Sequence, residues 1–215
     1  MYYSQDNQDK YLQENIFKGY KNGIFVDVGA HDGVDINNTL YFEQNHNWTG
    51  INIEPIKRVY DVLVKNRPKC INLDCAICNY NGKTKFISNS GWGERLSGIQ
   101  DTMDIRHHER LARDRKTHKG ETEIVDVNTR RLESILDEHN ISHINYLSID
   151  VEGGEYEVIK SINFEKVFID VIGFENNYED NSIPIVKYLE EKNFKIINKS
   201  LDIFMINNNS EFIKK

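Results

Sequence analysis

Short apolar runs that end in glycine or an acid alternate with stretches of helical spacing along most of the chain. The run "GIFVDVG" at 23–29 predicts a central parallel strand, apolar on both faces. A helix follows at about 37–46, then a strand over "TGINIEP" at 49–55. Val59, Val62 and Leu63 give 57–66 the spacing of a helix. "CINLDCAI" at 70–77 predicts a third strand, and Asn81-Gly82 predicts a hairpin turn into "KTKFIS". Beyond residue 120 the alternation resumes with a strand at 122–127 and a helix opened by Thr129 and Glu133. Strands at 144–150 and 165–175 and a helix at 182–192 follow. "FKIINKS" and "DIFMIN" predict a closing antiparallel hairpin. This alternation predicts an α/β fold, a mostly parallel sheet with helices on both faces.

Residues 89–120 break the rhythm with a glycine-rich loop and a charged, helical insertion. With no repeat or linker, residues 1–215 read as one domain carrying that insertion. Hydrophobic residues make up 39% and charged residues 28%, a globular balance, and the net charge is −7, which disfavours nucleic acid as a partner. No apolar run approaches the roughly 20 residues of a membrane helix, and the N-terminus is no signal peptide. The expectation is a cytoplasmic protein without membrane attachment. Cys70, Cys75 and Cys78 lack a fourth ligand for zinc and read as buried thiols in a reducing compartment.

In open α/β sheets, ligands bind beyond the carboxyl ends of the strands. The first strand ends in "DVGAHDG", which brings Asp27, Gly29, Ala30, Asp32 and Gly33 to that edge. The strict dinucleotide fingerprint is absent, since only G-x-x-x-G is present. The second strand ends in Glu54, some 25 residues beyond Gly29, where an acid takes up ribose hydroxyls. Asp32 in the loop disfavours phosphates and suits a sulfonium, which points to S-adenosylmethionine over NAD.

The runs "FVDVGAHDG", "NNT", "GINIEP", "LSG" and "LSIDVEGGEYEVI", with "YSQDNQDKYL" at 3–12, closely resemble the FkbM family of S-adenosylmethionine-dependent methyltransferases. The resemblance implies a class I, Rossmann-like fold with a seven-stranded sheet and a C-terminal antiparallel hairpin. It implies O-methylation of a sugar or similar small hydroxylated acceptor. It also places Gly29 and Gly33 against the cofactor, with Ala30, Asp27 and Asp32 nearby. Asn38 and Thr39 would face its methionine portion, Glu54 its ribose, and Asp74 and Cys75 its adenine. Many members carry lysine where this chain has Ser148, so a lysine base is not expected.

The fourth strand ends in "DVEGGE". Asp150 and Glu152 there are candidates to hold an acceptor hydroxyl and remove its proton, and Asp150 would also overlook the cofactor's methyl group. Glu152 could instead cap the following helix. Glu175 joins them as a substrate-binding or catalytic candidate at the end of the fifth strand, and His31 is an alternative base. Asp150, Glu175 and Asn176 resemble by position the magnesium ligands of catechol-type O-methyltransferases. The expected scheme nevertheless uses no metal and survives a chelator. Arg106, Arg110 and Arg113 fall on one face of the insertion, either as a phosphate reader or as a solvated surface partly paired through Asp114. His107, His108 and His118 read as exposed, and Trp92 as a sugar platform or loop anchor. The partner expected is a small-molecule hydroxyl acceptor, with a homodimer left open. Rival readings are an NAD-dependent oxidoreductase and a non-catalytic cofactor-binding subunit.

Overall fold

The structure is a computed structural model that describes residues 1–114 and 118–214. Its larger sheet is built from three parallel strands, β1 (Ile24–Val28), β2 (Thr49–Ile53) and β3 (Ile71–Leu73), on one side of the chain's midpoint. Two more parallel strands, β8 (His143–Ile149) and β9 (Phe168–Glu175), extend it from the other edge of β1. The hairpin of β10 (Phe194–Lys199) and β11 (Asp202–Asn207) closes it, with β11 antiparallel to β9. The strand order is β10-β11-β9-β8-β1-β2-β3. Strand order therefore reverses between β1 and β8, the topological switch point where α/β sheets bind ligands.

Alternating side chains explain why both faces are covered. Val26, Val28, Leu147 and Ile149 turn to one face, against Leu132 and Ile135 of α5 (Leu132–Glu138), Val158 and Ile159 of α6 (Glu155–Lys160) and Leu189 of α7 (Glu179–Glu191). Phe25, Tyr146 and Phe204 turn to the other face. There they pack with Leu12 of α1 (Gln8–Leu12), Phe42 of α2 (Leu40–His46) and Trp48.

A second sheet was not evident from the sequence. Its order is β4-β7-β5-β6, formed by β4 (Ala76–Ile77), β5 (Gly82–Asn89), β6 (Gly98–Ile99) and β7 (Thr122–Arg130). The expected third strand is in fact two. It breaks at Asp74–Cys75, and its second half leaves the large sheet to pair in parallel with β7. Asn81-Gly82 makes no hairpin between β4 and β5, because β7 lies between them. Thr129 opens no helix; it belongs to β7, and α5 starts at Leu132. Residues 37–39 are likewise loop. The Asn37 side-chain oxygen accepts the backbone N–H groups of Thr39 and Leu40 at 3.0 and 2.9 Å, holding the entry to α2. The insertion contains a 3-10 segment, Gly91–Leu96, then β6 and α4 (Ile105–Asp114). Among the described residues, no helix is long and apolar enough to cross a membrane.

Candidate active site

The ends of β1, β2 and β8 border a cavity of about 900 Å³, part of it open to solvent. Gly29 sets the closeness of its floor. Its φ is +89°, and a Cβ there would lie 1.8 Å from the Asp150 carbonyl oxygen. The loop after Gly29 is held by Asp27, which is buried and accepts the Asn37 amide at 2.9 Å and the Thr39 hydroxyl at 2.8 Å. Burial pushes the Asp27 carboxyl up, and the Arg67 guanidinium opposes that shift.

Arg67, at the end of α3 (Lys57–Asn66), is fully buried and had no distinguishing signal in the sequence. It pairs with Glu43, donates to the Gly33 carbonyl at 3.0 Å and the Asn37 side-chain oxygen at 3.1 Å, and lies over the Phe25 ring. A lone buried charge is costly, and this one is met by several acceptors. Arg67 thereby pins the loop that follows β1.

Of the residues proposed for the cofactor, Asp27, Gly29, Ala30, Asn38, Glu54, Cys75 and Asp150 all line this cavity. Asp32, Gly33, Thr39 and Asp74 stand outside that lining. Asp32 accepts the N–H groups of Val34 and Asp35, both at 2.9 Å, and shapes the loop. Asp74 is exposed. Glu54 is 6% exposed, and its carboxyl is pushed up to about 7, chiefly by burial, although the Ile56 N–H donates to it at 2.8 Å. Asn38 donates to Ser148 at 3.2 Å, where the lysine of many members would stand. Burial raises the Cys75 thiol to about 11, so it is uncharged. Cys70, Cys75 and Cys78 are all free thiols.

The insertion forms part of this wall. Glu94, Arg95, Ser97 and Ile99 line the cavity, and Arg95 bridges to Asp35 at 2.5 Å. His31 also lines it, with Nε2 3.1 Å from Glu94. Trp92 lies elsewhere and stacks on His118 with ring centroids 4.7 Å apart.

A second, smaller cleft opens beyond the end of β8, its roughly 350 Å³ of space between the walls including open solvent. Glu152, Glu155, Glu175, Asp104, His107 and Tyr178 are among its walls. Asp150, which lines the first cavity, has a carboxylate oxygen within 4.8 Å of oxygens of Glu152 and Glu175. The acids thus stand between the two spaces. Burial first, then neighbouring carboxylates, raises the carboxyls of Asp150, Glu152 and Glu175. Asp150 stays open to solvent through the cavity, although protein surrounds it. Glu175 has one buried oxygen, Oε2, without a hydrogen-bond partner among the described residues. Asn176 does not join the group: its amide donates to Ser200 and its oxygen accepts from Ser182. Oxygen donors of this kind suit a hard divalent cation, but three adjacent acids assign no metal by themselves.

Two residues of this region were missed by sequence reasoning. Asp202 faces Glu175 across β11 and β9 and is raised to about 6 by burial. His107 is not exposed, contrary to the reading of the insertion; at 2% exposure it packs against Glu152. A lone polar residue on a charged helix offered no signal for that contact. Arg106 is engaged by Asp104 and Asp180 and stacks on Tyr178 at 4.1 Å from the ring centre. The Arg110–Asp114 pair lies outside the described side chains.

A seven-stranded, mostly parallel sheet with an antiparallel closing hairpin, and a cavity at its switch point walled by a strand-end glycine and acid, is a Rossmann-like α/β architecture with a ligand-binding cleft. The model of the methyltransferase FkbM domain matches residues 27–196, and the chain belongs to that family. The FkbM methyltransferase of Methylobacillus flagellatus KT is similar in fold, with a TM-score of 0.52 at 11% identity over 86% of this chain. This chain spans 43% of that protein's length. A putative rRNA-methylase from Clostridium thermocellum gives a TM-score of 0.49 at 8% identity, covering 95% of this chain and 94% of its own. Comparison with curated proteins returns no match. The chain is a member of a methyltransferase family, and methyltransferases generally draw the methyl group from S-adenosylmethionine.

Proposed function

We propose that this chain binds S-adenosylmethionine in the larger cavity and methylates a hydroxyl of a small polyhydroxylated acceptor, a sugar or glycan precursor, held in the smaller one. The observation that carries this reading is the position of Asp150, Glu152 and Glu175 between the two spaces. The donor set fits the cofactor: Glu54 offers a buried carboxylate to ribose hydroxyls, and Asp150 offers negative charge beside a sulfonium. The cofactor supplies an electrophilic methyl group. The chain's own work is to hold the hydroxyl in line and take its proton. Asp150 is the base proposed here. Its raised carboxyl makes it a stronger proton acceptor than one in water, and it borders both the cofactor cavity and the acid group.

The acidic walls favour hydrogen-bond donors and disfavour phosphates, and this weighs against nucleic acid. His31 is less suited as base, since it pairs with Glu94 in the wall of the larger cavity and lies outside the acid group that reaches the smaller one. The test is calorimetric titration with S-adenosylhomocysteine and with NAD, then a panel of free sugars and nucleotide sugars screened by mass spectrometry for gain of one methyl group. Binding of S-adenosylhomocysteine and methylation of a free sugar are expected. NAD binding without S-adenosylhomocysteine binding would sink the assignment.

A further inference from the structure

Nine non-glycine residues among those described have a left-handed backbone, and five of them are asparagines, which tolerate it. Ile36, with a φ of +50°, is the one β-branched residue in that group. Branching at Cβ crowds the backbone in this region, so the conformation is held against the residue's own preference. What holds it lies on either side. Asp35 bridges to Arg95, and its N–H donates to Asp32. Asn37 is buried and donates to Asp27 at 2.9 Å, while its oxygen accepts from Arg67 at 3.1 Å. The side chain has no packing task to match that cost. Ile36 is 38% exposed, joins none of the hydrophobic cores among the described residues, and lines the larger cavity. Strain that its neighbours impose at the wall of a cavity points to a ligand.

The chemistry of the loop says which part of a ligand. NAD and S-adenosylmethionine share an adenosine and differ at its 5′ carbon, which carries pyrophosphate in one and sulfur in the other. With the ribose at Glu54, that carbon turns toward the loop after β1. In a dinucleotide site, this loop and the helix behind it offer free N–H groups to the pyrophosphate. Here those groups are engaged. The Asn37 side-chain oxygen takes the N–H groups of Thr39 and Leu40 at 3.0 and 2.9 Å, and Asp32 takes those of Val34 and Asp35, both at 2.9 Å. The loop presents an apolar side chain where a dinucleotide needs donors.

We propose that Ile36 is a ligand-binding residue of the larger cavity, held in its left-handed conformation so that its side chain covers the sulfur-containing chain at the 5′ carbon of an S-adenosyl ligand. This deepens the function proposed above and rests on it. The sulfur and the methylenes beside it are poor hydrogen-bond partners, and they gain from apolar cover where a pyrophosphate would lose its solvation. Removing roughly a third of an isoleucine's surface from water favours binding roughly five- to tenfold. Because the flanking contacts fix the backbone beforehand, little ordering is left for the ligand to impose.

The experiment is calorimetry on the full chain with S-adenosylhomocysteine and with adenosine, which lacks the sulfur chain, joined to NMR on protein labelled at its isoleucine methyl groups. Ile36→Asn supplies a residue that accepts this backbone and removes the apolar surface. Its affinity for S-adenosylhomocysteine should fall roughly five- to tenfold, and its affinity for adenosine should not change. Ile36→Leu keeps an apolar cover and should stay within about twofold of the wild type for both ligands. In the wild-type complex, the methyl signal that Ile36→Leu abolishes should show a nuclear Overhauser effect to the ligand protons beside sulfur. An unchanged affinity for S-adenosylhomocysteine in folded Ile36→Asn, an equal loss for adenosine, or no such effect in the saturated wild type each overturns the proposal. A residue serving only the fold would lower the urea midpoint of Ile36→Asn and leave the preference between the two ligands alone. If Ile36→Asn does not fold, the wild-type complex still decides. Failure of the wild type to bind S-adenosylhomocysteine removes the cofactor reading and this inference with it, whereas normal binding without the methyl contact removes Ile36 alone.

Discussion

A Cβ placed on Gly29 would sit 1.8 Å from the backbone oxygen of Asp150, so the ends of β1 and β8 meet at a distance that excludes any side chain. The contact is backbone to backbone and cannot be relieved by a rotamer change. Gly29→Ala must also hold a φ of +89° that L-residues rarely adopt. The expected outcome is a loss of about 4 kcal/mol or more in chemical denaturation, or failure to fold. Gly82→Ala, whose new Cβ would meet nothing nearer than 3.7 Å, is the matched control and should fold normally.

Glu54→Gln should weaken S-adenosylhomocysteine roughly 10- to 100-fold, the scale of a hydrogen bond to a charged acceptor. The same carboxyl gives binding a pH dependence. Ribose hydroxyls donate to the ionised form, and the carboxyl of the free protein is raised to about 7. Affinity should therefore fall between pH 8 and pH 6 in the wild type, and much less in Glu54→Gln. Calorimetry at several pH values measures both effects.

Stability of the free protein should decline as pH rises from about 5 to 7.5. Glu54 and Asp202 are raised to about 7 and about 6, and Asp150, Glu152 and Glu175 are raised as well. Groups whose folded pKa exceeds the unfolded value make the native state bind more protons. Their stabilisation is complete below the unfolded value and is lost as pH climbs through the folded one. Glu175→Gln should flatten this slope in urea denaturation. A stability that rises over the same interval would contradict the reading of the acid group.

Once an acceptor is found, Asp150→Asn should lower turnover at saturating acceptor by roughly a hundredfold, the usual scale for a lost general base. Cofactor binding should persist, because the amide preserves shape and hydrogen bonding. Near-normal turnover would remove Asp150 from the role of base. Turnover should also survive EDTA, since no step above uses a metal.

The large sheet was legible because its strands are short apolar runs, and the edge that carries the larger cavity because Gly29, Glu54 and Asp150 sit at run ends. The smaller sheet was not. β4 is two residues long and continues the apolar run of β3, so nothing in the pattern marks the change of sheet at Cys75. Asn81-Gly82 carries a hairpin signal, yet pairing with β7 takes the place of a local turn. Arg67 and His107 were illegible for another reason: their importance comes from contacts across 24 to 45 residues of chain, with Glu43 and Glu152. Single-residue chemistry does not announce such partners.

The Arg95–Asp35 bridge ties together two walls of the larger cavity. The pair joins the insertion to the loop after β1, and both side chains are well exposed. Exposed pairs of this kind are worth about 0–1 kcal/mol and weaken with salt. A bridge of that size can change ligand affinity or exchange by no more than about fivefold. Rising ionic strength should shorten the residence time of S-adenosylhomocysteine by speeding both entry and exit, and Arg95→Gln should have already done so at low salt.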